Sequence, residues 1–307
     1  MTPTQNQAPS KRDSEIAKKF PFVQHYTDDT GLKGILSSQT LWATDAFNLN
    51  DKAEISYSEK VFEELLEHLI KKEEKAYRMA NIFTTVVKGM KIYILSFCGI
   101  NNQEDAYQNG YLTMWRGYGN FALVFKTKDL IHNIAEFEKN FDLGAFLFDK
   151  AIYKNHVGYI RKEFPNDLKD FRKYCYEIEH RGCNSHKRAI ELLIRISWFS
   201  KHPGFIDERE VRLIFSPSQE NEKIMNRMQK NREELKIPLQ NPPSHTNKRV
   251  LFGQKDQKLP IQEIIIGPGK NQEENEQKAK DLVQELGLNI PVRKSTIPFL
   301  SHHSSKD

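Results

Sequence analysis

Asp207-Glu208-Arg209-Glu210-Val211-Arg212-Leu213-Ile214-Phe215 places two carboxylates one residue apart at the head of a β-rich run. Along a strand, side chains at i and i+2 share a face. If strand pairing starts before Glu208, then Glu208, Glu210, Arg212 and Ile214 all point one way. Two acids at that spacing can split their titrations, or hold one ribose or one sugar-like cation between them. The same charges also suit a solvated strand entrance. The rest of the chain has to decide between these.

Upstream, Phe22-Val23-Gln24-His25-Tyr26 predicts a short strand. Asp28, Asp29 and Thr30 offer a helix N-cap, and Leu32, Ile35 and Leu36 follow at helical spacing. Leu41-Trp42-Ala43 predicts a second strand, so the opening unit is strand, short helix, strand. After a polar turn at Asn48–Asp51, Ile55, Phe62, Leu65, Leu66, Leu69 and Ile70 form the stripe of an amphipathic helix. Lys91–Phe97 predicts a buried strand, Gly99–Gly110 a polar loop, and Phe121–Phe125 another strand. The pattern over 129–150 is helical and then irregular, with a short strand over 151–154. From 160 to 200 it is helical, until Lys201-His202-Pro203-Gly204 breaks it. Residues 217–247, Gln/Asn-rich with Pro242-Pro243, predict an exposed insertion. Val250–Phe252 and Glu263–Ile266 predict strands, with a turn at Gly267-Pro268-Gly269. Ala279, Leu282, Val283 and Leu286 mark a helix face with Gly287 at its C′ position, and Pro291–Phe299 is extended. Residues 1–19 predict a loose arm and 301–307 a disordered polar tail. With no repeat and no clear linker, the expected fold is α+β: a single mixed domain over 20–300.

The 307 residues are 38% hydrophobic, enough for one large domain or two small ones. Net charge is +5 with a pI near 8.8, which suits a phosphate-bearing partner without requiring one. Three cysteines, at 98, 175 and 183, argue against a disulfide framework and for a reducing compartment. No run of 18 apolar residues exists, and Met1–Lys19 lacks the apolar core of a signal peptide. A cytoplasmic protein with no membrane partner is expected.

Several constellations carry chemistry. His25-Tyr26-Thr27, with Asn50, Asp51 and Glu54, can grip a ribose: a strand-end His can donate to a hydroxyl while its other nitrogen is fixed. A half-buried His satisfied by a backbone carbonyl explains the same residue. Trp115-Arg116-x-Tyr118, between glycine-bearing turns, suits a flat ring and a phosphate, or a core Trp beside a surface Arg. Cys175, His180, Cys183 and His186 have the side chains of a zinc site. Their run is partly helical and places 180 off the face shared by the other three, so no metal is expected. Gly267-Pro268-Gly269-Lys270 lacks the P-loop frame and is a turn.

The landmarks taken in order resemble a widespread bacterial family of unknown function over roughly residues 22–299. They are His25-Tyr26-Thr27, Gly31-Leu32, Leu41-Trp42-Ala43-Thr44, Asn50-Asp51, Glu54, Ser96-Phe97, Trp115-Arg116-Gly117-Tyr118-Gly119, Lys201-His202-Pro203, Glu208-x-Glu210-x-Arg212, Ile266-Gly267-Pro268 and Ser295-x-Ile297-Pro298. That family in turn distantly resembles the ADP-ribosyltransferase fold, with its split antiparallel β core and peripheral helices. The resemblance implies that NAD is the substrate and that His25 holds its adenosine ribose. Glu210 would bind the nicotinamide-ribose 2′-hydroxyl and stabilise an oxocarbenium-like transition state. Glu208 would orient the acceptor or take its proton, and Tyr118 or Trp115 would stack the nicotinamide. No Ser-Thr-Ser segment stands on a central strand, which departs from the transferase pattern.

The expected function is an NAD-dependent ADP-ribosyltransferase-like toxin or effector of antiphage defence or of a toxin–antitoxin system, with a possible antitoxin protein as partner. The mild positive charge favours a nucleic-acid acceptor, RNA such as mRNA before DNA, over a protein acceptor. The alternatives are an NAD glycohydrolase with water as acceptor and a non-catalytic nucleotide- or nucleic-acid-binding module.

Overall fold

A computed structural model describes residues 11–46, 49, 52–69, 92–101, 105–140, 143–154, 156–176, 183–217, 249–252 and 258–298. Helix α1 (Lys11–Lys19) precedes strand β1 (Phe22–Thr27), α2 (Asp29–Ser38) and β2 (Leu41–Asp45). Next come α3 (Lys52–Leu69), β3 (Tyr93–Ile100), α4 (Asp105–Asn109), α5 (Leu112–Tyr118) and β4 (Phe121–Lys126). They are followed by α6 (Thr127–Asn140), β5 (Leu143–Lys150), α7 (His156–Glu163), α8 (Pro165–Tyr176) and α9 (Cys183–Phe199). A 3-10 turn (Pro203–Glu208) leads into β6 (Glu210–Pro217). The described chain closes with β7 (Arg249–Phe252), β8 (Ile261–Ile266), α10 (Gln272–Glu285) and β9 (Val292–Lys294).

Among the described residues, nine strands make one sheet in the order β5-β6-β3-β1-β4-β8-β9, with β2 also on β3 and β7 on β2. All pairs are antiparallel except β8 with β9. The α+β class expected from the pattern is therefore present. The opening strand, helix and strand also form as predicted: the Asp28 carboxylate accepts from the Gly31 N–H at 2.7 Å and starts α2.

Register explains where the core lies, because cross-strand partners share a face. Val23, Tyr93, Leu95, Phe97, Leu123, Val211, Leu213 and Phe215 face one way, into the main apolar core beneath α1, α2, α6 and α10. The opposite face carries two smaller cores. One gathers Ile94 and Ile214 with Leu192, Ile196 and Phe199 of α9. The other gathers Tyr26, Cys98, Met114 and Trp115. Between those two cores the same face is polar: Gln24, Ser96, Glu210 and Arg212 stand there in register.

The sheet also forks at this point. On one edge of β3, strand β6 pairs continuously from Tyr93 to Cys98. On the other edge, β1 pairs only with Cys98, Gly99 and Ile100, and β2 only with Ile94 and Tyr93. Leu95, Ser96 and Phe97 have no strand partner on that edge among the described residues. β1 and β2 diverge there, and α2 spans them.

Four segments differ from the sequence reading. Residues 99–110, expected as a polar loop, finish β3 and form α4 over Asp105–Asn109. Residues 11–19, expected as an arm, form α1, with Ile16 and Ala17 buried in the main core. The helix is tied down through Arg12, whose guanidinium donates to Asp149 Oδ2 and to the Tyr159 hydroxyl at 2.7 Å and lies 4.0 Å over the Phe164 ring. Polar composition hid this anchor, since one buried turn carries only two apolar residues. Residues 143–150, expected as irregular, form edge strand β5, and 151–154 contribute only the Ile152–Ser200 bridge. The strand predicted to include Glu208 begins at Glu210 instead. The insertion beyond β6 and the 301–307 tail lie outside the described residues.

The α1 anchor makes a prediction. Arg12→Ala removes a charge-assisted hydrogen bond and a ring contact, so it should cost about 2 kcal/mol in urea unfolding. Amide exchange over residues 11–19 should accelerate together with the loss. Unchanged protection of those amides would show that α1 is held without Arg12.

Candidate functional site

A cavity of about 260 Å³ opens at the fork, on the polar strip between the two smaller cores. Strand β1 contributes His25, β3 contributes Ser96, α5 contributes Tyr118, and the segment after α9 contributes Lys201, Glu208, Glu210 and Arg212. Its size falls just under the roughly 300 Å³ where small-molecule sites begin. It suits a nucleoside-sized moiety, with any larger remainder lying in the opening.

Glu208 and Glu210 reach the cavity by a route other than strand alternation. Glu208 ends the 3-10 turn, and Arg209 adopts a left-handed conformation with φ 47°. That conformation is uncommon for a non-glycine residue and costs on the order of 1 kcal/mol. It reverses the chain direction just before pairing starts, so consecutive carboxylates enter from a turn and from a strand. What brings them together is Lys201. Its ammonium donates to Glu208 Oε2 at 2.5 Å and to Glu210 Oε2 at 2.7 Å, and the residue is 7% exposed. Arg212 completes the cluster: Nε donates to Glu210 Oε1 at 2.8 Å and Nη2 to Oε2 at 2.9 Å. Its Nη1 donates to the Trp198 carbonyl at 2.6 Å. Tyr118 donates from its hydroxyl to Glu208 Oε1 at 3.0 Å. Two carboxylates thus face two cations.

The electrostatics follow. Burial alone would push the Glu210 carboxyl up. The charges of Arg212 and Lys201, and their hydrogen bonds, outweigh it and bring the pKa down to about 2. Glu210 is therefore an anion at any physiological pH. Lys201 is desolvated, but Glu210 and the two hydrogen bonds raise its pKa, so it stays charged.

His25 reaches the cavity from the other face of the fork: it alternates with Gln24 and Tyr26, and its ring meets Phe97 of the main core edge-on at 5.8 Å. Its Nδ1 lies 3.0 Å from the Ser96 carbonyl, so Nδ1 carries the proton and donates across the fork. Burial lowers the imidazole pKa. A neutral ring protonated on Nδ1 leaves Nε2 as an acceptor. The donation to a ribose hydroxyl expected from the sequence is thus reversed: His25 would receive a hydroxyl proton. In nitrogen-15 NMR, His25 should show a bare Nε2 at pH 7 and titrate below the ordinary 6.5 of histidine. A protonated Nε2 at neutral pH would rule this assignment out.

Of the residues singled out from the sequence, His25, Tyr26, Tyr118, Glu208, Glu210 and Arg212 line this one cavity. Tyr26 does so with its hydroxyl engaged: it donates to Gln24 Oε1 at 2.7 Å and accepts from the Tyr111 N–H at 3.0 Å. Thr27, Trp115 and Arg116 do not line it. Thr27 is buried against Gly31, where a Cβ would stand 1.9 Å from the threonine Oγ1. Trp115 is core: its ring meets Tyr26 edge-on at 4.6 Å, and its Nε1 donates to the Asn109 carbonyl at 2.9 Å. Gly267 is small because Trp115 fills the space, with a Cβ there 2.7 Å from the indole. Of the two aromatic side chains considered as a ring-stacking wall, only Tyr118 lines the cavity, and Arg116 is an exposed helix residue. Asn50 and Asp51 lie outside the described residues. So do His180 and the side chains of Cys175, Cys183 and His186, on which the metal question turned.

A site role for Lys201 escaped the sequence reading, where Lys201-His202-Pro203 serves as a helix breaker and as a landmark of the family resemblance. The available signal was its position directly behind the apolar helix end Ile196-Ser197-Trp198-Phe199, where a lysine needs a partner once buried. Ser96 entered only as a landmark of the family resemblance and Gln24 gave no signal, since their roles depend on the fork.

Residues 114–213 match the model of a family described as Protein of unknown function (DUF2971). The matched stretch runs from α5 to β6 and holds Tyr118, Lys201, Glu208, Glu210 and Arg212. The resemblance to a family of unknown function is thus shown over that stretch. No curated protein and no solved structure matches the chain. Among the described residues no helix is long and apolar enough to cross a membrane.

Proposed function

We propose that the protein is an NAD-dependent ADP-ribosyltransferase whose reacting centre is the fork cavity. One observation carries the reading. The segments that resemble the two halves of a transferase site, around His25 and around Glu208–Glu210, meet in a single cavity where an antiparallel sheet divides. The nicotinamide-ribose half of NAD fits a nucleoside-sized space. Glu210, an anion held rigid by Arg212 and Lys201, stands where positive charge would develop at C1′. The bond from C1′ to the nicotinamide nitrogen breaks, and its electron pair neutralises the pyridinium. A lone pair of the acceptor then forms the new bond to C1′, and the acceptor's proton passes to Glu208 and on to solvent. His25 Nε2 accepts from a ribose hydroxyl.

Exposed apolar side chains on the elements that carry the site favour an acceptor larger than water. Tyr118, Phe205 and Ile206 are the large hydrophobic side chains left exposed among the described residues, and the latter two sit on the turn that carries Glu208. A nucleic-acid acceptor is the preferred class, and expression of an active transferase of this kind should be toxic to the host cell. A second reading has its own observation. Both oxygens of Glu210 already accept from Arg212 and Lys201, which favours a site that binds a nucleotide without turning it over.

Full-length protein incubated with NAD labelled in the adenylate phosphate, with and without RNA, DNA or lysate, separates these readings. Label moving onto a macromolecule supports the transferase, and free ADP-ribose indicates hydrolysis. Intact NAD in every mixture supports the binding module and overturns the proposal.

A further inference from the structure

Outside the cavity, cations collect at one corner of the sheet. This corner is the end at which β1 and β6 begin and β3 and β5 stop. Arg209, flanked by the two site carboxylates, does not line the cavity. Its guanidinium donates to the Tyr111 hydroxyl and lies 6.0 Å from the Phe20 ring. Lys19, the last residue of α1, places its ammonium 5.1 Å from that same ring. Lys150 is the register partner of Val211, and the next residue, Ala151, donates its N–H to the Glu210 carbonyl at 2.8 Å. Lys150 therefore stands beside the start of β6, and its ammonium lies 5.1 Å over the Tyr159 ring.

The carboxylate close at hand is Asp149, and it is committed elsewhere. Its Oδ2 accepts from both Arg12 and Arg195, the latter at 2.8 Å. No ion pair to Lys19 or Lys150 occurs among the described residues. The crowding is felt: partial desolvation, then the like charges of Lys150 and Arg209, hold the Lys19 ammonium below its ordinary pKa. Lys19 is exposed, and Lys150 and Arg209 are half-buried. Like charges gathered on aromatic supports at an accessible corner are stabilised by an arriving polyanion.

We propose that Lys19, Lys150 and Arg209 form a phosphate-binding corner that holds the sugar–phosphate backbone of a single-stranded nucleic acid. Arg209 links this corner to the cavity through the chain itself, because its neighbours on either side are Glu208 and Glu210. Through Arg209 the corner adjoins the turn that carries Glu208. The proposal rests on the preceding reading in one respect, that the strand so held is the acceptor.

The test uses full-length protein and a fluorescein-labelled oligouridylate of roughly twenty nucleotides, longer than one site size, with binding followed by anisotropy across a salt series. Lys19→Gln with Lys150→Gln should weaken binding at least tenfold. The log–log salt slope should shrink by about 1.4, two phosphates at about 0.7 each. Lys19→Arg with Lys150→Arg keeps the charge and should bind within about threefold of the wild type, which guards against a folding artefact. Three results would overturn the proposal: no binding by the wild type, equal binding by the glutamine variant, or binding to phosphatidylserine vesicles in place of the oligomer. NAD cleavage without nucleic acid should be the same in all variants. Salt-sensitive RNA binding with no NAD cleavage would sink the transferase reading and leave the corner standing. NAD cleavage with RNA binding indifferent to Lys19 and Lys150 would do the reverse.

Discussion

If the proposed transferase reading holds, Glu210→Gln should lower NAD turnover by about a thousandfold, in line with the loss of one preorganised electrostatic partner of a transition state, while NAD binding should change far less. The amide keeps the shape of the carboxylate but turns an NH2 toward Arg212 or Lys201, so urea unfolding of the variant is measured beside its activity to separate lost charge from lost structure. What it removes is the negative charge that the proposed mechanism sets against the developing cation at C1′. Ground-state NAD feels that charge weakly, and the transition state feels it fully, so kcat falls and KM does not. Glu208→Gln should cost less, since its part is to receive a proton and Tyr118 still positions it. Product analysis by chromatography under saturating NAD measures both variants. Full activity in Glu210→Gln would end the mechanistic assignment.

Lys201→Met gives the largest effect on stability. The ammonium is the group that lies between Glu208 and Glu210, and removing it leaves carboxylates buried beside each other. Breaking such a buried arrangement by deleting one partner costs about 3–5 kcal/mol. The loss depends on pH, and its sign is fixed. In the wild type the Glu210 pKa is lowered from 4.5 to about 2. Its ionic contribution is therefore fully present above 4.5 and is lost as pH falls toward 2. Without Lys201 the folded protein takes up a proton on Glu210 at higher pH than the wild type does. The deficit of the variant should thus be greatest at neutral pH and shrink on acidification. Urea unfolding at pH 7 and again at pH 4 measures this, and Lys201→Arg should recover part of the stability. A deficit independent of pH would mean that Lys201 contributes packing and not charge.

Much of the architecture is legible in the sequence because local signals agreed with the fold. The Asp28 cap, the apolar run into Phe97, the Phe121–Phe125 strand and Gly287 with φ 59° all carry their structure on their own residues. The failures share a cause, which is tertiary contact. α1 depends on an arginine meeting an aspartate far along the chain. β5 is an edge strand made by its pairing with β6. The site shows the same division. His25 and the two glutamates are visible as a strand-end histidine and an acidic pair. The geometry that joins them is not, because it depends on a fork in the sheet, a left-handed Arg209 and a lysine from the preceding helix end. Trp115 shows the opposite error. A tryptophan among glycines suits a ring-stacking wall, yet Trp115 is core: Gly110 and Gly267 make room for its indole, while Gly119 lies against the Thr27 backbone and Gly117 meets nothing within 4 Å.

The claim that the fork cavity breaks the glycosidic bond of NAD is tested most directly by proton NMR of NAD with full-length protein, with RNA, DNA and lysate supplied in turn. Free nicotinamide should accumulate with the wild type as the NAD signals decline, and should fail to appear with Glu210→Gln. NAD that stays intact with the wild type under every condition would contradict the account.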